Sequence, residues 1–432
     1  MTAPGLRISR PSPAWACLAF TFINSVATGV TFNGIPFINK ELFNYKLAAS
    51  SALGVMLGIT YVFGAMFTGP FVRWAERTMN WCTPRTVLAL MMAASAVLNA
   101  VPTAAWFLLP AESRLIGTQI ALWVFVALYS VICGGLWPIV ESFVSGGRGD
   151  ALPRIIGKFN VLWSSALVGS MWLVPAVPGA ITAVARRLGT HLEGPDAMVG
   201  IFAVMGAVHL LALTLLLWHN PHPGSHDQTA HPTPPSYAPL LSLHRALMPA
   251  SYLVCYALSP FLPTMSDALR LADRWQAVFA SIWLGARPVT FFIMDHWNGW
   301  HGTKFTATAG SACVLGGFAG CVLSVFLAPG AGVVLAALSL AVFGSGMAMI
   351  YVAALYYAME VGAAAVDEGG KHETLIGVGY TVGPLCGLGG AAAAAATGVA
   401  ATANPVMLGL VTVTSLGGGA WLLNRSRSSD SR

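Results

Sequence analysis

Apolar residues along this chain come in runs of about twenty or more, broken by short clusters of Gly, Pro and charge. Twelve such runs can be read, at roughly 14–38, 51–74, 85–109, 116–144, 157–180, 198–218, 247–265, 275–295, 303–327, 332–359, 374–398 and 404–423. Each reaches the ~20 residues that an α-helix needs to cross a bilayer's hydrocarbon. A membrane β-barrel would instead show ~10-residue segments alternating between polar and apolar. The pattern predicts an all-α membrane protein of twelve transmembrane helices. Between the sixth and seventh runs, 219–245 is rich in Pro, His and Ser and reads as a solvated connector. It divides the chain into an N-terminal six-helix bundle, 1–218, and a C-terminal one, 246–432.

The two bundles echo one another. In each, an apolar helix ends in a lone glutamate, Glu141 or Glu360, and a polar Gly-rich loop leads into a Gly-led helix. Gly157 precedes Asn160 by three residues and Gly169 by twelve, and Gly377 stands in the same relation to Tyr380 and Gly389. This internal duplication predicts two pseudo-symmetric bundles, an arrangement common in secondary transporters, with the substrate held near the midplane between them.

Composition agrees with a life in lipid. Charged residues are only 9% of the chain and the mean hydropathy is +0.70, too little polarity to hydrate a soluble surface. The net charge of +6 comes from scattered single bases, not from a run or patch, which argues against nucleic acid as a partner. With the N-terminus in the cytoplasm, fourteen of the 22 Lys and Arg fall on that side and seven on the other, with Arg287 inside a span. The excess predicts both termini in the cytoplasm and a multi-pass protein of the inner membrane. The seven cysteines lie mostly inside apolar runs and show no metal or disulfide spacing. His219, His222, His226 and His231 of the connector are separated by prolines and lack completing ligands, so no metal or other cofactor is expected.

Polar residues inside the spans are the candidates for chemistry, since a charge at the centre of a lipid-facing helix costs ~2.5–3.5 kcal/mol. Arg287 has no acid one turn away in its own helix. It is either a clamp for an anionic substrate or one half of an ion pair across helices. Glu141 and Glu360 are either proton-coupling carboxylates or gate residues paired with loop bases such as Arg148 and Lys371. His372 and Glu373, at the start of the eleventh helix, read as gate residues. Asn24, Asn160, Trp163, Tyr357 and Tyr380 are candidates for lining a substrate cavity, with interhelical packing as the alternative.

Two motifs extend the picture. Gly69-Pro70-Phe71-Val72-Arg73 after the second run and Asp295-His296-Trp297-Asn298-Gly299 after the eighth resemble the loop signature of the major facilitator superfamily. In that signature an acid and a base latch the cytoplasmic ends of the bundles. The second copy keeps the acid, Asp295, while the first carries Arg73 in its place. LWPIVESF with GKFNVLWSSALVG, and LYYAM with KHETLIGVGYTVGP, are similar to a largely uncharacterised bacterial branch of that superfamily. The resemblance covers nearly the whole chain. It implies Trp137, Pro138, Glu141, Asn160, Trp163, Tyr356, Tyr357, His372, Glu373, Gly379 and Pro384 as shared positions, and no agreed substrate.

The rival classes lack their motifs. His372-Glu373-Thr374-Leu375-Ile376 is not H-E-x-x-H, no G-x-S-x-G is present, and Gly149 to Lys158 lacks the order of a phosphate-binding loop. The expectation is therefore not an enzyme but a monomeric secondary transporter, moving a small solute by alternating access. Whether that solute is anionic, and whether protons drive it, stay open. A lipid or amphiphile flippase, or a membrane sensor, is the alternative on the same fold.

Overall fold

The computed structural model describes residues 10–224, 234–361 and 366–429. Among these there is no β-strand, and the helices follow the apolar runs: α1 Ala14–Phe43, α2 Leu47–Thr78, α3 Pro84–Leu108, α4 Ala111–Ser145, α5 Leu152–Arg187, α6 Pro195–Trp218, α7 Tyr237–Ala268, α8 Asp273–His296, α9 Phe305–Ser324, α10 Pro329–Val361, α11 Val366–Thr397 and α12 Ala403–Ser429. Among the described residues eleven are long and apolar enough to cross a membrane. The twelfth place is taken by a shorter apolar helix, Ala403–Gly418. α7 starts at Tyr237, so the connector is shorter than its composition suggested. His226 and His231 lie outside the described residues.

Local chemistry sets the helix ends and bends. Thr83 caps α3 by accepting the Thr86 N–H, with Pro84 in the first turn where its missing N–H costs nothing. Pro70, Pro102, Pro138, Pro175, Pro178 and Pro288 lie inside helices, where each removes a backbone donor and bends the axis. α1 contains a π-helical turn at Val30–Gly34. Such turns hold one extra residue and recur at functional sites.

The outer surface is apolar. Ile116, Ile120, Val334, Leu338 and Val413 are each 60–70% exposed, which only a hydrocarbon solvent tolerates over so wide an area. Two seams join the bundles. Along one, α2 lies against α11, and along the other α5 lies against α8. Glycine makes the first seam this tight: a Cβ on Gly58 would fall 2.4 Å from the backbone nitrogen of Thr381, and one on Gly377 2.7 Å from a Val62 methyl. By contrast, a Cβ on Gly169 would meet nothing within 4 Å.

We call the side from which α1 starts the near face. There Gly157 of α5 abuts the Asp295 carboxylate. At the far face Lys40 of α1 donates to Asp267 of α7 at 2.5 Å and to Gln276 of α8 at 2.9 Å, and Trp172 Nε1 of α5 donates to Ser281 Oγ at 3.1 Å. These contacts bridge the two bundles at both faces.

Candidate functional site

Between the bundles, at mid-height, lies a cavity of about 50 Å³. The π-helical turn of α1 and the residues just before it bring Thr28, Phe32 and Asn33 to its wall. Tyr61 comes from α2, Trp137 from α4, and Trp163 and Leu167 from α5. The C-terminal bundle supplies Tyr252, Cys255 and Tyr256 from α7, Trp283 and Arg287 from α8, and Tyr380 from α11. Eight aromatic rings and a single charge thus line the space.

Arg287 is 2% exposed, and among the described residues no acid pairs with it. Its guanidinium carbon lies 4.4 Å from the Trp163 ring centroid and 5.7–5.8 Å from those of Trp283, Phe291 and Tyr351. Among the described residues Nε and Nη2 have no hydrogen-bond partner. These two nitrogens form one edge of the planar group, spaced to donate in parallel to the two oxygens of a carboxylate. The energies are unequal, because burying an ion costs several kcal/mol whereas a cation over an aromatic face gains only about 0.5–2 kcal/mol. The rings therefore orient the guanidinium without offsetting its charge, and an anion is what the site lacks.

One turn toward the near face, two acids meet across the bundles. Glu141 of α4 and Glu373 of α11 are 7% and 4% exposed and are close neighbours. Tyr61 Oη donates a short hydrogen bond to Glu373 Oε2. Gly369 lets α11 approach: a Cβ there would meet Glu141 Oε2 at 2.9 Å and Pro138 Cα at 3.1 Å. Tyr351 of α10 connects the two clusters. Its ring stacks on Trp163 at 5.3 Å and lies 5.4 Å from the His372 ring. Among the described residues Nε2 of His372 has no hydrogen-bond partner.

No protein-family profile matches the chain, and no curated protein is similar to it by sequence. Solved structures do match. The nucleoside transporter NupG, in a mutant form, superposes with a TM-score of 0.66 at 12% identity, over 94% of this chain and 99% of that one. A bacterial homologue of the human lysosomal transporter Spinster, in an inward-facing unoccupied conformation, gives 0.65 at 14% identity over 96% of each chain. An auto-inhibited peptide transporter of the POT family gives 0.61 at 12% identity, over 95% of this chain and 96% of that one. This chain has the major facilitator fold.

Within that fold the residues singled out from sequence separate into groups. Arg287, Trp163 and Tyr380 come together on the cavity wall. Glu141, Glu373 and His372 cluster beside it. Asn24 and Asn160 are fully buried with both amide atoms unpartnered, but neither lines the cavity. Tyr357 lies away from it: its hydroxyl accepts Gly302 N–H at 3.1 Å, and its ring packs on Tyr237 and His244. Glu360 is exposed at the end of α10. Asp295, the surviving acid of the loop signature, makes the near-face contact with Gly157. The expected pairing of Glu141 with Arg148 is not formed. Arg148 turns instead to the backbone oxygens of Val144 and Ser12 at 3.1 and 2.8 Å.

Several wall residues were missed from sequence: Phe32, Tyr61, Tyr252 and Trp283. One signal was available for the last, since Trp283, Arg287 and Phe291 are spaced i, i+4, i+8 and must share a helix face.

Proposed function

We propose that the protein is a secondary transporter for a small carboxylate-bearing solute. The two bundles rock about the Arg287 cavity and expose it alternately to the near and far faces, and the near face is cytoplasmic on the count of Lys and Arg. One observation carries the substrate class: a buried arginine without a counter-ion among the described residues, on the wall of an aromatic cavity. The rings favour a flat or apolar body behind the carboxylate. The major facilitator fold and its transporter neighbours support transport as the activity, while their own cargoes give no guide to this one. A carboxyl pair beside the site supports protons as the coupling ion.

The test is thermal stabilisation of the purified protein by benzoate, acetate and neutral benzamide, repeated with Arg287→Ala. Stabilisation by benzoate that benzamide does not reproduce, and that the substitution abolishes, is the expected result. Equal stabilisation by benzamide, surviving in Arg287→Ala, would remove the carboxylate reading.

A further inference from the structure

The aromatic cavity has a neighbour on its far-face side. Beyond Phe32 and Tyr256 lies a second compartment of about 20 Å³, and these two rings belong to the lining of both. On α1 its wall is Phe32, Ile35, Pro36 and Asn39, spaced i, i+3, i+4, i+7, one face of a helix rising about 10 Å. Asn39 directly precedes Lys40, so the compartment lies between the cavity and the far-face bridge. Ser50 of α2 and Ser259 of α7 bring hydroxyls to the same wall.

Asn39 is the residue that packing alone does not explain. Its side chain is fully buried, and among the described residues neither Oδ1 nor Nδ2 has a hydrogen-bond partner. A buried amide left so costs more than a typical hydrogen bond contributes. The lining decides what partner fits. It contains no Asp, Glu, Lys or Arg, so an ionised group entering it would lose water and meet no counter-charge. An amide offers donors and an acceptor together, which a hydroxyl matches in kind. The volume suits a group about the size of one water molecule.

We infer that this compartment is a second substrate subsite, which takes a neutral hydroxyl at the end of the solute remote from its carboxylate. The solute lies across the Phe32–Tyr256 layer, with its carboxylate on Arg287 and its hydroxyl on Asn39. Its length follows from helix rise. Asp273 and Phe43, the far-face ends of α8 and α1, are 14 and 4 residues from Arg287 and Asn39. The two backbones therefore differ in depth by ten residues, roughly 15 Å, of which the two side chains span a part. The cargo is thus an elongated hydroxy-carboxylate. An analogue without the hydroxyl leaves the Asn39 amide unpaired, and a dicarboxylate puts its second charge where no base awaits it. This assignment rests on the carboxylate reading of Arg287.

The experiment is calorimetric titration of the purified full-length protein in detergent with benzoate, phenylacetate and 3-phenylpropionate, each with and without a 4-hydroxyl. The readout is the affinity ratio within each pair. In the parent the hydroxyl is expected to raise affinity about tenfold in the longest pair and little in the benzoate pair, which is too short to reach Asn39. In Asn39→Leu, which keeps much of the volume and removes the amide, the ratio should fall to near one. Should that variant fail to fold, the parent alone decides: 3-(4-carboxyphenyl)propionate, with a charge in place of the hydroxyl, should bind about tenfold more weakly than 3-phenylpropionate. A hydroxyl that changes affinity in no pair, while the acids bind, would overturn the subsite, leave Asn39 to water alone and keep the Arg287 reading. A ratio that survives Asn39→Leu, or a dicarboxylate that binds as well as the hydroxy acid, would overturn it too. No binding of any of these acids to the parent would remove both readings.

Discussion

The Trp163 ring lies 4.4 Å from the guanidinium carbon of Arg287 and at the same time stacks on Tyr351, with 17° between the ring planes. One indole from the N-terminal bundle thus fixes a cation of the C-terminal bundle, and the contact exists only while the α5–α8 seam is closed. Trp163→Ala should weaken benzoate binding by roughly 5- to 30-fold, the equivalent of a desolvated cation–π contact of about 1–2 kcal/mol. Trp163→Phe should recover most of that. Titration of both variants checks it, and equal losses would mean that the indole acts through bulk alone.

Arg287 should trade stability for binding. Arg287→Met keeps much of the volume and removes an unpaired buried charge, a change that elsewhere is neutral or stabilising by about 1–4 kcal/mol. The melting temperature of the ligand-free protein is expected to stay level or rise, while benzoate no longer raises it. Arg287→Lys keeps the charge but loses the planar fork, so benzoate affinity should fall about tenfold or more.

At the far face, Lys40 bridges α1 to Asp267 and Gln276, and Asp273 lies 3.5 Å away. Because Asp267 and Asp273 are half or more exposed, the bridge is worth no more than about 1 kcal/mol. Lys40→Ala should therefore shift the balance of states only about two- to fivefold. The readout is the rate at which a cysteine placed at Asn33, on the cavity wall, reacts with a thiol reagent added from the far face. An unchanged rate would show that the bridge does not hold that face shut.

Two glycines make a matched test of the α2–α11 seam. Gly58→Leu drives a side chain into the backbone at Tyr380 and Thr381 and should destabilise the closed state by about 1–3 kcal/mol, the cost of overpacking. Gly169→Leu, facing open space, should change the melting temperature little.

Outside the spans, burial between Phe20 and Phe143 pushes the His219 imidazole below its usual value of 6.5. The unfolded chain therefore takes up a proton that the folded one resists as pH drops through about 6.5, and folded stability falls in that direction. His219→Phe should flatten the loss of melting temperature between about pH 7.5 and 5.5 and leave the value at the upper end nearly unchanged.

Much of this fold was legible because hydrocarbon solvent forces long apolar helices, and such helices leave a direct trace in sequence. Arg287, Trp163 and Tyr380 were legible for a related reason: polar or large amphipathic groups inside a span need a purpose. The neighbour of Glu141 was not. Lone acids at helix ends suggested neighbouring bases, whereas the buried carboxyl beside it, Glu373, is 232 positions away. Only the close approach of α11 at Gly369 brings it there. Tyr357 and Asn160 failed to reach the cavity for a matching reason. Helical position gives depth in the membrane, but the direction a residue faces depends on how each helix is rotated against its neighbours.

The π-helical turn at Val30–Gly34 makes α1 two rulers set out of phase. Each residue of an α-helix advances about 100° around the axis, so one surplus residue rotates everything beyond it by about that angle. Asn24 and Thr28 are measured on the first ruler, and Asn39 and Lys40 on the second. Deleting any one residue of the turn would preserve composition and hydropathy, yet swing Lys40 a quarter-turn away from Asp267. The surplus residue is thus an address: it tells the end of the helix which neighbour to meet.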